Sequence, residues 1–291
     1  MSNTPTVWMN GELMPAEEVR VSPFDLGLTV GLGVFETMVA YDGCVFYYDR
    51  HHARLVQSAS MMALTAPTMD VIEKAMSEVI AANDLLSGRS RIRVSISGGV
   101  NPLQGGDAPG NMIVTAVPQP EPADMAKLIL GSYSCDESSA MSGVKSASYG
   151  CHVMTFRHAI AASADEALVL NSRGILCEGS MSNVFLVKDG EVRTPSLSSG
   201  CLAGVTRALV IELCNKLNIA IEETVLGESD IQDADEIFLT SSAREVQAAK
   251  MLDSNDGNGV GPVTAQISSA YKTLIKQAIA ISIGESKGIG K

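Results

Sequence analysis

One short segment near the middle of the chain, Pro118-Gln119-Pro120-Glu121-Pro122, constrains the fold more than any other. Proline at alternate positions removes amide donors and fixes φ, so neither a helix nor a paired strand can run through it. The chain therefore reads as two units: a smaller α/β unit over 1–117, a linker over 118–124, and a larger α/β unit over 125–291. At 291 residues the chain is long for one core and comfortable for two domains of ordinary size.

In the first unit, Val34 to Tyr41 and Val45 to Tyr48 flank Asp42-Gly43, a hairpin signal. Residues 50–64 and 70–83 carry apolar side chains at helical spacing, for example Ile72, Ala75, Met76, Val79 and Ile80. Arg91 to Ser97 alternates strictly, with Ile92, Val94 and Ile96 on one face. Arg91 and Arg93, on the other face, are either solvated or the anion-facing wall of a pocket. A strand from Met112 to Val117 leads into the prolines. The second unit reads as a strand at Leu128 to Ser132, a helix over 153–164, and strands at 167–171, 184–187 and 235–240. It also has a helix over 205–217, a Gly/Asn/Asp loop over 253–262 and a last helix over 263–281. Strands and helices interleave as mixed α/β (α+β), without the regular repeat of a doubly wound sheet. No GxGxxG follows a strand, so nicotinamide chemistry is not expected.

The net charge of −12 opposes nonspecific binding to nucleic acid or anionic membrane, while local arginines leave room for a small anionic substrate. No apolar run reaches the ~18 residues of a membrane span, and the N-terminus lacks a signal pattern, so a cytoplasmic protein is expected. Cys44, Cys135, Cys151, Cys177, Cys201 and Cys214 are scattered without a CxxC pair and read as buried free thiols of a reducing compartment. The histidines offer no metal spacing, and no metal is expected.

Lys145 is the only formal charge between Glu137 and Arg157, within Gly143-Val144-Lys145-Ser146-Ala147-Ser148-Tyr149. A lysine held among small and apolar residues loses hydration, its pKa falls, and the neutral amine attacks carbonyls. The alternative is an ordinary surface-loop lysine. Glu178 is isolated in the same way between Arg173 and Lys188, just before the apolar strand Val184-Phe185-Leu186-Val187. A carboxylate there is either an exposed turn residue or paired, for instance with a pyridinium nitrogen. Leu202-Ala203-Gly204-Val205-Thr206-Arg207 opens a helix, whose free amides form a phosphate seat. Thr240-Ser241-Ser242 could add a hydroxyl, and Arg54 a charge-assisted bond to phosphate.

The order of these elements decides more than any one of them. Asn10-Gly11, Val21-Ser22-Pro23-Phe24-Asp25 and Gly31-Leu32-Gly33-Val34-Phe35-Glu36-Thr37 resemble the opening of class IV aminotransferases. His51 to Leu55 resembles the family's phosphate-arginine motif, and Lys145 with Tyr149 its cofactor lysine and nearby tyrosine. Glu178-Gly179 with Asn183, Gly204-Val205-Thr206-Arg207 and Ser241-Ser242 follow in family order, so the likeness runs from about residue 7 to 250. The resemblance implies a two-domain fold type IV pyridoxal 5′-phosphate enzyme, with the cofactor at the domain interface, and a homodimer. It assigns Lys145 the Schiff base and the moving proton, and Glu178 the pyridine nitrogen. It gives the phosphate to Arg54, the Val205 and Thr206 amides, and Ser242 with Ser241, and places Tyr149 near the ring hydroxyl.

Departures from the family pattern bear on the substrate. Val30-Gly31-Leu32-Gly33 stands where the family often has Tyr-Gly-Asp-Gly. Val39 replaces the usual arginine of branched-chain aminotransferases, and Ser97 an arginine of D-amino-acid aminotransferases. Phe35-Glu36-Thr37, Arg91-Ile92-Arg93 and Asp165 to Leu170 look more like aminodeoxychorismate lyases, in which Thr37 would deliver a proton to the departing enolate. The first expectation is that lyase, releasing pyruvate and 4-aminobenzoate from an amino-bearing substrate met by Arg91 or Arg93. The second is a transaminase for a branched-chain or D-amino acid. A non-catalytic binding protein on the same fold is the remote third.

Overall fold

The computed structural model describes residues 4–103, 110–253 and 260–288, with side chains as far as residue 281. It divides into two compact units, with a break between Pro120 and Glu121, inside the proline segment.

The first unit runs β1 (Thr6–Met9), β2 (Glu12–Pro15), α1 (Leu26–Thr29), β3 (Gly33–Tyr41), β4 (Cys44–Val45), α2 (Tyr48–Met61), α3 (Met69–Ala82), β5 (Arg89–Ser97) and β6 (Met112–Pro118). Its strands form one sheet in the order β2-β1-β6-β5-β3-β4, and every pairing is antiparallel. Asp42 and Gly43 join β3 to β4 with φ of 50° and 79°, the doubly positive turn that matches the twist of a hairpin. The return strand is shorter than its sequence suggests. It stops at Val45 because Tyr47 adopts a left-handed φ of 49° and Tyr48 already begins α2.

Alternation places Ile92, Val94 and Ile96 of β5 with Val34, Met38 and Ala40 of β3 against α2 and α3, in one buried cluster with Leu55, Ile72, Met76 and Val79. The same phase puts Glu36 on the core-facing side of β3. The opposite face carries Phe35, Thr37, Val39 and Tyr41, and the register sets Thr37, Val39 and Tyr41 across from Arg93, Arg91 and Arg89. Asp25, fully buried, caps α1 through Gly27 N at 2.7 Å. It also accepts from Ser97 Oγ at 2.7 Å and Asn111 Nδ2 at 2.6 Å, which ties the Pro23-Phe24-Asp25 motif to the ends of β5 and β6.

The second unit runs β7 (Met125–Leu130), α4 (Gly150–Ala161), β8 (Glu166–Leu170), β9 (Leu176–Gly179), β10 (Asn183–Lys188), β11 (Glu191–Pro195), α5 (Val205–Lys216), β12 (Ile221–Thr224), α6 (Glu228–Asp233), β13 (Glu236–Ser241), β14 (Glu245–Met251) and α7 (Pro262–Gly288). From Gln277 onward the chain groups with the first unit. The eight strands lie in the order β12-β11-β10-β13-β14-β7-β8-β9. At the centre, Phe185 and Phe238 are fully buried and stack with centroids 4.8 Å apart. Leu128, Leu168, Leu176, Val184 and Leu239 share a buried cluster.

Several expectations are corrected. The strand expected at Leu128 to Ser132 is β7, which starts and ends earlier. β1, β2, β9, β11, β12 and β14 have no counterpart in the sequence reading. β14 is buried over Glu245 to Ala249, its polar Glu245 and Gln247 as well as its apolar residues, and it lies in the sheet between β13 and β7. Residues 254–259 of the expected 253–262 loop lie outside the described residues. The cysteines are not uniformly buried: Cys177, Cys201 and Cys214 are, Cys44 and Cys135 are half-buried, and Cys151 is exposed. Among the described residues, no helix is long and apolar enough to cross a membrane.

Candidate active site

Lys145 leaves the domain to which the sequence assigns it. Val144 to Ser148 groups with the first unit, where Ser146 bridges Val34 at the edge of the sheet. Phe35 N donates to Lys145 O at 3.1 Å and Ala147 N to Gly33 O at 2.7 Å. A Cβ on Gly33 would lie 2.8 Å from Ile96 O of the paired strand β5 and 3.3 Å from Ala147 Cβ of this segment, so glycine fits where both crowd it. Lys145 N donates to Ser58 Oγ of α2 at 3.4 Å, a long contact. The lysine is half-buried, not a solvated surface residue, and its Nζ stands 4.6 Å from the centre of the Phe35 ring. The Arg93 guanidinium lies 3.8 Å from the centre of the same ring. Amine and guanidinium thus meet one aromatic side chain, and Thr37, half-buried, follows two residues along the same strand face.

Arg54 is held within this unit by Glu36. Its Nε and Nη2 donate to the two carboxylate oxygens, each at 2.7 Å, while His51 Nδ1 lies 2.8 Å from Glu36 Oε2. Burial raises the Glu36 pKa, but the charge and hydrogen bonds of Arg54, with those of His51, outweigh it and bring the value down to about 2. Because the folded value is depressed, this pairing contributes fully above the ordinary carboxylate range and is lost only as pH falls toward 2. Burial lowers the His51 pKa despite Glu36, so the ring is neutral near pH 7 and donates from Nδ1. Arg91 is exposed on β5.

In the second unit, Glu178 lies within β9 rather than in a turn, and is 8% exposed. Leu202 N donates to its Oε2 at 3.0 Å and Asn183 Nδ2 at 3.2 Å. The reading of Glu178 as an exposed turn residue is overturned, because pairing of β9 with β8 draws it into the sheet. α5 begins at Val205 with Gly204 as its cap residue, and no side chain caps it. A Cβ on Gly204 would run into Asn183 Oδ1, so glycine lets Asn183 pack against the start of this helix, whose first-turn amides have no side-chain cap. Val205 and Thr206 are buried in its first turn. Arg207, next in the motif, is engaged elsewhere, donating to Glu223 Oε2 at 2.6 Å and Pro195 O at 2.8 Å. Ser241 Oγ accepts from Arg244 N at 3.1 Å, and Ser242 follows it beyond the end of β13. Tyr149 stacks on His152 with centroids 4.2 Å apart, and His152 Nδ1 meets Ser180 O at 3.1 Å.

Thr240 carries the hydroxyl of the Thr240-Ser241-Ser242 segment that lies nearest Glu178's partners. Its Oγ1 is buried without a hydrogen-bond partner among the described residues, and the strand pairs it with Asn183, which contacts Glu178. An orphaned hydroxyl, uncapped helix amides and a buried carboxylate fit a phosphorylated pyridinium group: anion to the donors, cation to Glu178. Glu36 is a residue that the sequence places within a motif but gives no role. Its signal was a carboxylate in the core phase Val34-Glu36-Met38-Ala40.

The sequence model of the family described as amino-transferase class IV matches residues 33–251. Relatives include a putative branched-chain-amino-acid aminotransferase of Methanocaldococcus jannaschii, 31% identical over 277 residues, covering 92% of this chain and 96% of that one. An aminodeoxychorismate lyase of Bacillus subtilis is 29% identical over 283 residues, covering 94% and 96%. Among solved structures, a branched-chain amino acid aminotransferase of Thermobaculum terrenum in its PLP form superposes with a TM-score of 0.84 at 26% identity, covering 96% of each chain. This chain belongs to the class IV aminotransferase family. That family consists of pyridoxal-phosphate enzymes, and both the mixed α/β fold and the cofactor expected from the sequence stand.

Proposed function

We propose that this protein is a transaminase for branched-chain amino acids, with Lys145 as its cofactor lysine. The observation that carries the reading is the strand face around Lys145. Phe35 and Val39, with Thr37 between them, form a mostly apolar strip on β3, with the Lys145 amine and the Arg93 guanidinium at the Phe35 ring. An aliphatic amino acid asks for that combination: a cation for its carboxylate, an amine to exchange with its own, and an apolar wall. Branched-chain aminotransferases are also prominent among the relatives and the matched structures.

Bound pyridoxal phosphate supplies an electrophilic aldehyde carbon and a ring that accepts the electron pair left when the substrate's α-proton departs. Lys145 would form the covalent link and carry that proton, and Glu178, fixed by Leu202 and Asn183, would hold the ring nitrogen protonated. Arg54, the Val205 and Thr206 amides, Ser242 and Ser241 would hold the phosphate, Tyr149 would face the ring hydroxyl, and Arg93 or Arg91 would meet the substrate carboxylate. The same reading carries a cytosolic homodimer.

The lyase that the sequence first suggests keeps one specific support: Thr37 shares the strand face of Phe35, where a hydroxyl could serve as a second proton donor. A product assay separates the two. The holoenzyme should convert L-leucine, L-isoleucine or L-valine with a keto acid, and should release no pyruvate from aminodeoxychorismate. Pyruvate release, slowed by ~10²–10⁴ in Thr37→Val as for a lost general acid, would instead establish the lyase and retire the transaminase.

A further inference from the structure

Glu36 occupies a position that the sheet's pattern reserves for an apolar side chain, and none of the chemistry above uses it. Its carboxylate is 1% exposed and its partner Arg54 is 11% exposed, so the pair was withdrawn from water in spite of the cost of desolvating both charges. We propose that Glu36 is a positioning residue: backed by His51, it fixes the Arg54 guanidinium so that the arginine selects for the phosphate group of the cofactor. The inference rests on the reading of Arg54 as the phosphate arginine.

Geometry distinguishes this from simple charge neutralisation. The fork is two parallel hydrogen bonds through Nε and Nη2, which fixes the plane of the guanidinium as well as its location. His51, 3% exposed, holds Glu36 Oε2 from behind and keeps the carboxylate from turning. Arg54 and Ser58 stand four residues apart on α2, and Ser58 Oγ accepts from the Lys145 amide, so the oriented arginine lies on the helix face that meets the lysine segment. Most of a long side chain's rotamer freedom is thus removed before any ligand arrives. Glu36 carries a negative charge and in itself repels phosphate; the proposal requires orientation to outweigh that repulsion.

The test is equilibrium dialysis of the apoprotein against pyridoxal phosphate and, separately, against pyridoxal, which lacks the phosphate. Glu36→Gln should weaken pyridoxal phosphate ~10- to 100-fold, the scale for losing the partner that orients a ligating side chain, and leave pyridoxal unchanged. His51→Leu should show a smaller loss of the same selectivity, and His51→Gln, which keeps a donor, should restore it. If Glu36→Gln does not fold, Glu36→Asp, which keeps the charge but shortens the fork, takes its place. Equal losses for both ligands, no loss, or tighter binding of pyridoxal phosphate would overturn the proposal. Arg54→Leu separates the layers. If it weakens both ligands equally, or neither, the phosphate reading of Arg54 fails and the inference with it. If it weakens pyridoxal phosphate alone while the Glu36 variants do not, the positioning role alone fails.

Discussion

Lys145→Ala is expected to lower turnover by on the order of 10⁵- to 10⁶-fold, the scale for deleting a covalent nucleophile from an assembled site. The substitution removes the amine that forms the link and carries the proton. It leaves the backbone contacts of the segment in place: Phe35 N to Lys145 O and Ala147 N to Gly33 O involve no side chain. Thermal unfolding should therefore move little while activity disappears. The visible absorbance of the bound cofactor should shift, because its carbonyl carbon no longer meets an amine. Substantial residual turnover at unchanged stability would show that another lysine serves.

Glu178→Gln should cost ~2–4 kcal/mol of transition-state stabilisation, or roughly 30- to 1,000-fold in kcat, the scale for one preorganised electrostatic partner. Two donors, Leu202 N and Asn183 Nδ2, already meet Oε2. A glutamine must set its carbonyl there and turn its NH2 to the Oε1 side. The group then donates where the carboxylate accepted, and a protonated ring nitrogen loses its partner. The phosphate contacts are untouched, so the cofactor should remain bound at wild-type stoichiometry. Wild-type kcat with bound cofactor would place Glu178 outside the reaction.

Local signals in the sequence located more of this molecule than pairing signals did. The proline segment falls where the chain divides. The alternation of Ile92, Val94 and Ile96 and the Asp42-Gly43 turn are properties of a few neighbouring residues, and they read directly. β9 and β14 do not, because Leu-Cys-Glu-Gly and Glu-Val-Gln-Ala-Ala acquire their extended form by pairing with other strands, β9 with β8 just before it and β14 with both β13 just before it and β7 far earlier in the chain. That is why Glu178 read alone as a turn residue and is in fact buried. Lys145 stood out as an isolated charge, but nothing in its surroundings announced that Ser146 would bridge Val34, more than a hundred residues earlier. Arg54 looked like any helix arginine until Glu36 and His51 were brought beside it. The resemblance to a family supplied the order of the motifs, and the structure supplied the partners.

The most direct test of the central assignment is to locate the cofactor's covalent attachment. The holoenzyme is treated with borohydride, digested, and mapped by mass spectrometry. The account predicts one phosphopyridoxyl group per chain, on the peptide containing Lys145, and none in Lys145→Ala. A phosphopyridoxyl group on any other lysine would contradict it.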